Sequence, residues 1–208
     1  MRLGLSHTSP YCVRPFLSVV LDTVFFSHAD SGFHIAIDDL WIEGHFLWFR
    51  ERRFKGKTVH ALRWRTRAFD FRGIPDLPRL VAHFCRLRQA SWARQKGQPS
   101  GMLYRLLSDQ RDPMVSDVRH WFGIARANLE LKDLTHHSVR RTGASSAFCI
   151  LVPIQHIKDW GWWTSDAVWT YINRQRQPTR ADFLLFGWMN VAADHVRQAV
   201  ASVFAPVE

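Results

Sequence analysis

Leu134-Thr135-His136-His137-Ser138-Val139-Arg140-Arg141-Thr142-Gly143-Ala144-Ser145 opens the stretch on which the reading of this chain turns. It continues through Val152-Pro153-Ile154-Gln155-His156-Ile157 and Gly161-Trp162-Trp163-Thr164-Ser165, and closes on Tyr171-Ile172. Thr135 is placed to cap a helix, because its hydroxyl can accept from a backbone N–H of the first turn. His137 and Arg140, three residues apart, then lie on one face of that helix. The cap also brings backbone N–H groups and the positive end of the helix dipole close to His137, a favourable setting for a phosphate. Pro153 suits the first turn of a second helix that runs to about Trp160, and Gly161 ends it as a C′ glycine would. Thr164 or Ser165 can cap a short helix carrying Tyr171. Taken singly, each feature has an ordinary explanation: a solvated His-x-x-Arg face, a half-buried tyrosine with a wet hydroxyl, a Gly-Trp turn. Their joint spacing in a strongly basic chain favours a functional site.

Composition supports that choice. The chain has 208 residues and 47% hydrophobic content, enough for a sizeable core without disulfides or metal. Its formal charge of +10 points to a polyanionic partner. The basic residues recur at Arg50, Arg52, Arg53, Lys55, Lys57, then Arg63, Arg65, Arg67, then Arg86, Arg88, then Arg140, Arg141. That distribution suits a concave surface better than a disordered arm. Cys12, Cys85 and Cys149 have neither zinc-site nor disulfide spacing, so the expectation is a reducing, intracellular compartment: nucleus in a eukaryote, cytoplasm in a bacterium. The adjacent His136-His137 pair does not face one ligand, so no metal is expected; no small-molecule cofactor is expected either. No apolar run is long enough to span a membrane.

The order His137-x-x-Arg140, Gly161-Trp162, then Tyr171 nine residues after Trp162, together with Arg-Thr-Gly-Ala-Ser at 141–145, resembles the active-site half of tyrosine recombinases of the phage-integrase family. The resemblance implies an α+β, mainly helical catalytic domain with a small three-stranded antiparallel sheet. It implies site-specific cleavage and rejoining of double-stranded DNA through a 3′-phosphotyrosine, as in mobile-element recombinases. Tyr171 would be the nucleophile, Arg140 a phosphate clamp, His137 the acid/base and Trp162 an indole N–H donor to the phosphate. The chemistry suits those residue types: a phenol needs a proton acceptor to attack, and a guanidinium answers phosphate charge with a two-pronged donor. The family's lysine sits in a β-hairpin turn, which makes Lys55 the expected general acid. Arg53, Lys57 and Arg141 are the expected DNA contacts beside these residues. His28 stands where the family places its first catalytic arginine, so a second reading stays open: a catalytically impaired DNA-binding remnant.

Working outward, residues 1–15 read as irregular, 16–172 as the catalytic domain and 173–208 as a helical tail. Phe16–Phe26 is long enough for a helix of about three turns. Three strands follow, at Asp38–Ile42, His45–Arg53 and Thr58–Thr66, with Leu47 and Phe49 alternating against Trp48 and Arg50. Leu80–Ala93 and Ser116–Ala127 have helical apolar spacing. The resemblance allows the tail to pack on a neighbouring copy in a homo-oligomer on DNA, whereas its apolar spacing alone favours self-packing. The residues before His28 are too few for the N-terminal domain that clamps DNA in the family, so the resemblance is expected to cover the catalytic domain alone.

Overall fold

The computed structural model describes residues 6–27, 35–51, 65–94, 101–106, 108–109, 111–128 and 135–189. Helix α1 (Pro10–Val24) is the element the others pack on. Ser9 is its N-cap and Pro10 its first residue, where a missing N–H costs nothing. Part of the segment expected to be irregular, 1–15, is therefore helical, and the expected start at Phe16 is six residues late. Val13, Phe16, Leu17, Leu21 and Val24 form its buried stripe. Against it lie α2 (Asp76–Arg94), α3 (Val115–Asn128) and α4 (His136–Cys149). Leu77, Leu80, Phe84, Val118, Phe122, Val139 and Ala147 supply their core faces.

The sheet is antiparallel, in the order β1 (Leu40–Glu43), β2 (Phe46–Glu51), β3 (Arg65–Asp70). The expected alternation in β2 holds, with Leu47 and Phe49 buried while Trp48 and Arg50 lie on the other face. Asp38 and Asp39 belong to a 3₁₀ turn (Ile37–Asp39) rather than to the first strand. β3 runs four residues past the expected end at Thr66, pairing Phe49 with Arg67 and Leu47 with Phe69. The pattern was hidden because an arginine occupies one of its inward positions. The rest of the expected third strand, 58–64, lies outside the described residues.

Helix α5 (Ile154–Gly161), a 3₁₀ turn (Asp166–Thr170), α6 (Arg180–Phe186) and a second 3₁₀ turn (Gly187–Met189) complete the described chain. Phe186 is fully buried against Phe26, so this part of the expected tail is core. Asp182, 1% exposed, anchors α6 by accepting from Arg176 at 2.5 Å and from the Thr179 N–H at 2.7 Å. Burial alone would raise its carboxyl, but hydrogen bonds from Ser146 and from the side chain and backbone of Thr179, with the Arg176 charge, hold it below the ordinary aspartate value.

Three helices end in the same way without glycine. Phe26, Leu151 and Trp162 adopt left-handed backbone at φ 47, 66 and 57. Each is followed by a residue whose N–H bonds back five positions: Ser27 to Asp22, Val152 to Ala147, Trp163 to Lys158. This is the closure that glycine normally serves. A left-handed non-glycine residue costs roughly 1–2 kcal/mol, and glycine's extra unfolded-state freedom takes back roughly 0.4–1. Leu151 is 80% exposed and contributes little packing. Leu151→Gly should therefore stabilise the protein by about 0.5–1 kcal/mol, a rise of roughly 1–4 °C in the calorimetric midpoint. A lowered midpoint would show that the Leu151 side chain matters more than its backbone.

Candidate active site

Helix α4 builds the site. Thr135 caps it as expected: its hydroxyl accepts from the Ser138 N–H at 3.1 Å, and the Ser138 hydroxyl accepts from the Thr135 N–H at 2.7 Å. His137 follows in the exposed first turn, and Arg140, 7% exposed, sits one turn deeper. Further along the same helix, the Ser145 hydroxyl donates to the Tyr171 carbonyl at 3.1 Å and accepts from the Asn173 N–H at 2.9 Å. One helix thus presents His137 and Arg140 and also fixes the backbone around Tyr171. Ser145 belonged to the motif stretch, but its role had no signal beyond that.

The three expected residues converge. The His137 and Tyr171 rings are 4.8 Å apart between centroids, and the Arg140 guanidinium lies 5.5 Å from the Tyr171 ring. Tyr171 caps the Asp166–Thr170 turn, whose own N-cap is Ser165. A tight 3₁₀ turn, not an α-helix, therefore delivers the phenol. The other tyrosines are unsuited to attack. Burial, reinforced by the Asp22 charge, pushes the Tyr104 phenol well above its ordinary value. The Tyr11 hydroxyl accepts from the Ser108 N–H at 3.0 Å, beside the Arg14–Asp109 ion pair.

Arg140 is held by more than its helix. Its two terminal nitrogens donate to the carbonyls of Phe26 and Gly161, at the C-terminal ends of α1 and α5. The indole that lies over the guanidinium is Trp163, 4.0 Å from ring centroid to carbon. The ring of Trp163 also meets Tyr171 at 5.1 Å. Trp162, the expected phosphate donor, is 39% exposed and lines a neighbouring cavity. The left-handed turn at Trp162 sends the two consecutive indoles to different sides, which spacing alone could not foresee. Gly161 is the last helical residue, not the left-handed one. Glycine is required there because a Cβ would overlap the Trp163 ring. Gly143 plays the same part on α4, where a Cβ would overlap the Phe26 ring.

A second arginine repeats the pattern. Arg67 on β3, 5% exposed, donates to the Phe25 carbonyl and to the Trp160 carbonyl at 2.9 Å. Its guanidinium lies 5.4–5.8 Å from the rings of Phe25, Phe49 and Trp160. In the sequence it was one member of a basic series, with no signal that it turns inward. Arg14, upstream of the site, is occupied by Asp109 at 2.6 Å and by the Trp121 ring at 4.5 Å. Arg141 is exposed on α4. His28, Arg53, Lys55 and Lys57 lie outside the described residues. Among the described residues, no group of three His, Cys, Asp or Glu is arranged to hold a metal ion, and no helix is long and apolar enough to cross a membrane.

The fold is similar to that of solved site-specific recombinases. Two solved structures carry the likeness. One is XerH site-specific recombinase bound to palindromic difH substrate in a post-cleavage complex: TM-score 0.55, 10% identity, covering 92% of this chain and 46% of that one. The other is XerH bound to difH substrate before cleavage: TM-score 0.56, 11% identity, 78% of this chain and 43% of that one. The chain therefore spans less than half the length of either recombinase. No protein-family model and no curated protein sequence matches it.

The Arg140–Trp163–Tyr171 stack depends on the close approach at Gly161. Gly161→Ala should cost about 1–3 kcal/mol, the usual penalty for forcing a methyl into a filled site. Urea titration reads it directly, and an unchanged midpoint would mean that the Trp163 ring yields freely.

Proposed function

We propose that this chain binds duplex DNA and breaks and rejoins a strand through Tyr171. The observation that carries the reading is the meeting of His137, Arg140 and Tyr171 at one spot in a recombinase-type fold, from positions 34 residues apart in sequence. The phenolic oxygen of Tyr171 attacks the phosphorus and the bond to the 5′ oxygen breaks. The strand's 3′ phosphate stays on the protein as a phosphotyrosine. His137 takes the phenol proton, and Lys55 gives a proton to the departing 5′ oxygen. Arg140 answers charge on the non-bridging oxygens, while the Trp162 indole, expected to join it, lines the neighbouring cavity instead. Arg53, Lys57 and Arg141 contact the flanking backbone, and a second copy on the same DNA completes the assembly. Religation is the same path reversed, with no outside energy source.

One observation favours the second reading, an impaired DNA-binding remnant. Both terminal nitrogens of Arg140 already donate to backbone carbonyls, and its side chain is nearly covered. His28 at the expected position of the other arginine offers at most a point charge, not a fork. Loss of one preorganised donor costs ~3–4 kcal/mol, roughly 10²–10³ in rate.

A nicked suicide duplex decides between them. The active reading expects a slow covalent adduct that Tyr171→Phe abolishes, with duplex affinity nearly retained. If about six phosphates are neutralised, log K should fall with log[salt] at a slope near −5. Salt-sensitive binding with no adduct establishes the remnant. A flat salt response rejects DNA as the partner.

A further inference from the structure

Beside the site, α5, β3 and the Gly187–Met189 turn line an open cavity of ≈ 480 Å³, within the range of small-ligand pockets. Its walls are the rings of Trp160, Trp162 and Trp188 with Met189, and Asp159 and His156 stand among them. We propose that this cavity is a nucleobase pocket, which receives one unstacked base of the bound DNA. The proposal rests on the DNA-binding reading and adds a contact to it.

The walls present flat carbon surface. The indole N–H groups of Trp160 and Trp188 already donate, to the carbonyls of Val24 at 2.9 Å and Leu185 at 3.0 Å. What they offer a ligand is therefore ring rather than donor, the surface on which bases stack. The charges around the cavity balance, since buried Arg67 and the Asp159 carboxylate both line it. A fully cationic or anionic ligand gains little from such a pair, while a neutral heterocycle fits it. The polar groups also have a direction. His156 Nδ1 sits 3.3 Å from the Met189 carbonyl and must donate to it, so in the neutral ring Nε2 accepts. One oxygen of Asp159 accepts from Gln155 at 2.7 Å, and the carboxylate has a second oxygen to accept with. Two acceptors favour a base that carries an exocyclic amine.

Position strengthens the case. Trp162 is held in left-handed backbone, a conformation that must be enforced by its surroundings, and that turn aims its indole into the cavity. The preceding residue, Gly161, gives its carbonyl to Arg140. The pocket and the Tyr171 cluster are thus one peptide apart along the chain. Neither the motif order nor the helix spacing marks His156, Asp159 or Trp188 for this role.

The test measures binding of the full chain to three duplexes of one sequence: fully paired, with a single extrahelical adenine, and with an abasic residue in the same bulge. Extrusion of a paired base has a cost, which the bulge removes. The adenine bulge should bind roughly 5- to 100-fold tighter than the abasic bulge, the range spanned by one base–aromatic stack. Trp162→Ala should bring that ratio close to one and Trp162→Phe should keep part of it. Using the ratio cancels any general effect on DNA affinity. Asp159→Asn, an exposed change, should narrow the preference for adenine over a thymine bulge. Equal binding of the adenine and abasic bulges by the unaltered protein overturns the pocket, while salt-dependent duplex binding leaves the DNA reading standing. A preference that survives Trp162→Ala overturns it too. Failure to bind any of the three duplexes overturns both.

Discussion

Two buried guanidiniums hold the ends of two helices together. Arg67 takes the carbonyls of Phe25 and Trp160, and Arg140 takes those of Phe26 and Gly161. The carbonyls are consecutive on both sides, so the C-terminal ends of α1 and α5 meet across a pair of cations. The last carbonyls of a helix lack partners within it and carry the negative end of its dipole, so a guanidinium answers both needs. Burying a charge is costly unless it is well paired, which ties each arginine closely to its place. Arg67 brings β3 to the junction and Arg140 brings α4. The sheet, the central helix, the motif helix and the Gly-Trp-Trp corner are therefore registered to one another at a single point, and Tyr171 is packed against it.

That junction changes the meaning of the basic composition. Arg67, Arg88 and Arg140 are all buried, and Arg88 likewise donates to carbonyls, those of Met102 and Arg105 at 3.1 Å. Part of the positive charge that suggested a polyanion is thus internal scaffolding. The same junction poses the energetic question for catalysis. For Arg140 to clamp a phosphate it must share or release hydrogen bonds to carbonyls, each worth about 1.5–3 kcal/mol for a charged donor. Bound DNA has to supply that free energy, or the arginine stays structural.

The legible parts of the sequence were those with local chemistry. Thr135 as a cap, the buried face of β2 and the shared helix face of His137 and Arg140 follow from spacing and side-chain type. Tyr171 could be placed near them because the motif fixed its distance along the chain. What stayed hidden needed a third dimension. Left-handed helix ends at Phe26, Leu151 and Trp162 carry no glycine to announce them. Gly161 looked like a terminator and serves as a gap for the Trp163 ring. Trp162 and Trp163 are adjacent letters that a backbone turn separates in space. Arg67 reads as one more surface cation until β3 turns it inward.

The central claim is that Arg67 and Arg140 act as one clamp, and a double-mutant cycle tests it. Arg67→Met and Arg140→Met remove each guanidinium while keeping most of the side-chain bulk, and urea unfolding gives the free energy of each variant and of the pair. Losing either arginine should cost about 3–5 kcal/mol, because buried carbonyls lose a charged donor. If the clamp is shared, the first loss lets the helix ends part and the second costs less, so the double variant should fall short of the sum by at least about 1 kcal/mol. Additivity within about 0.5 kcal/mol would contradict the account, since independent sites add in that way.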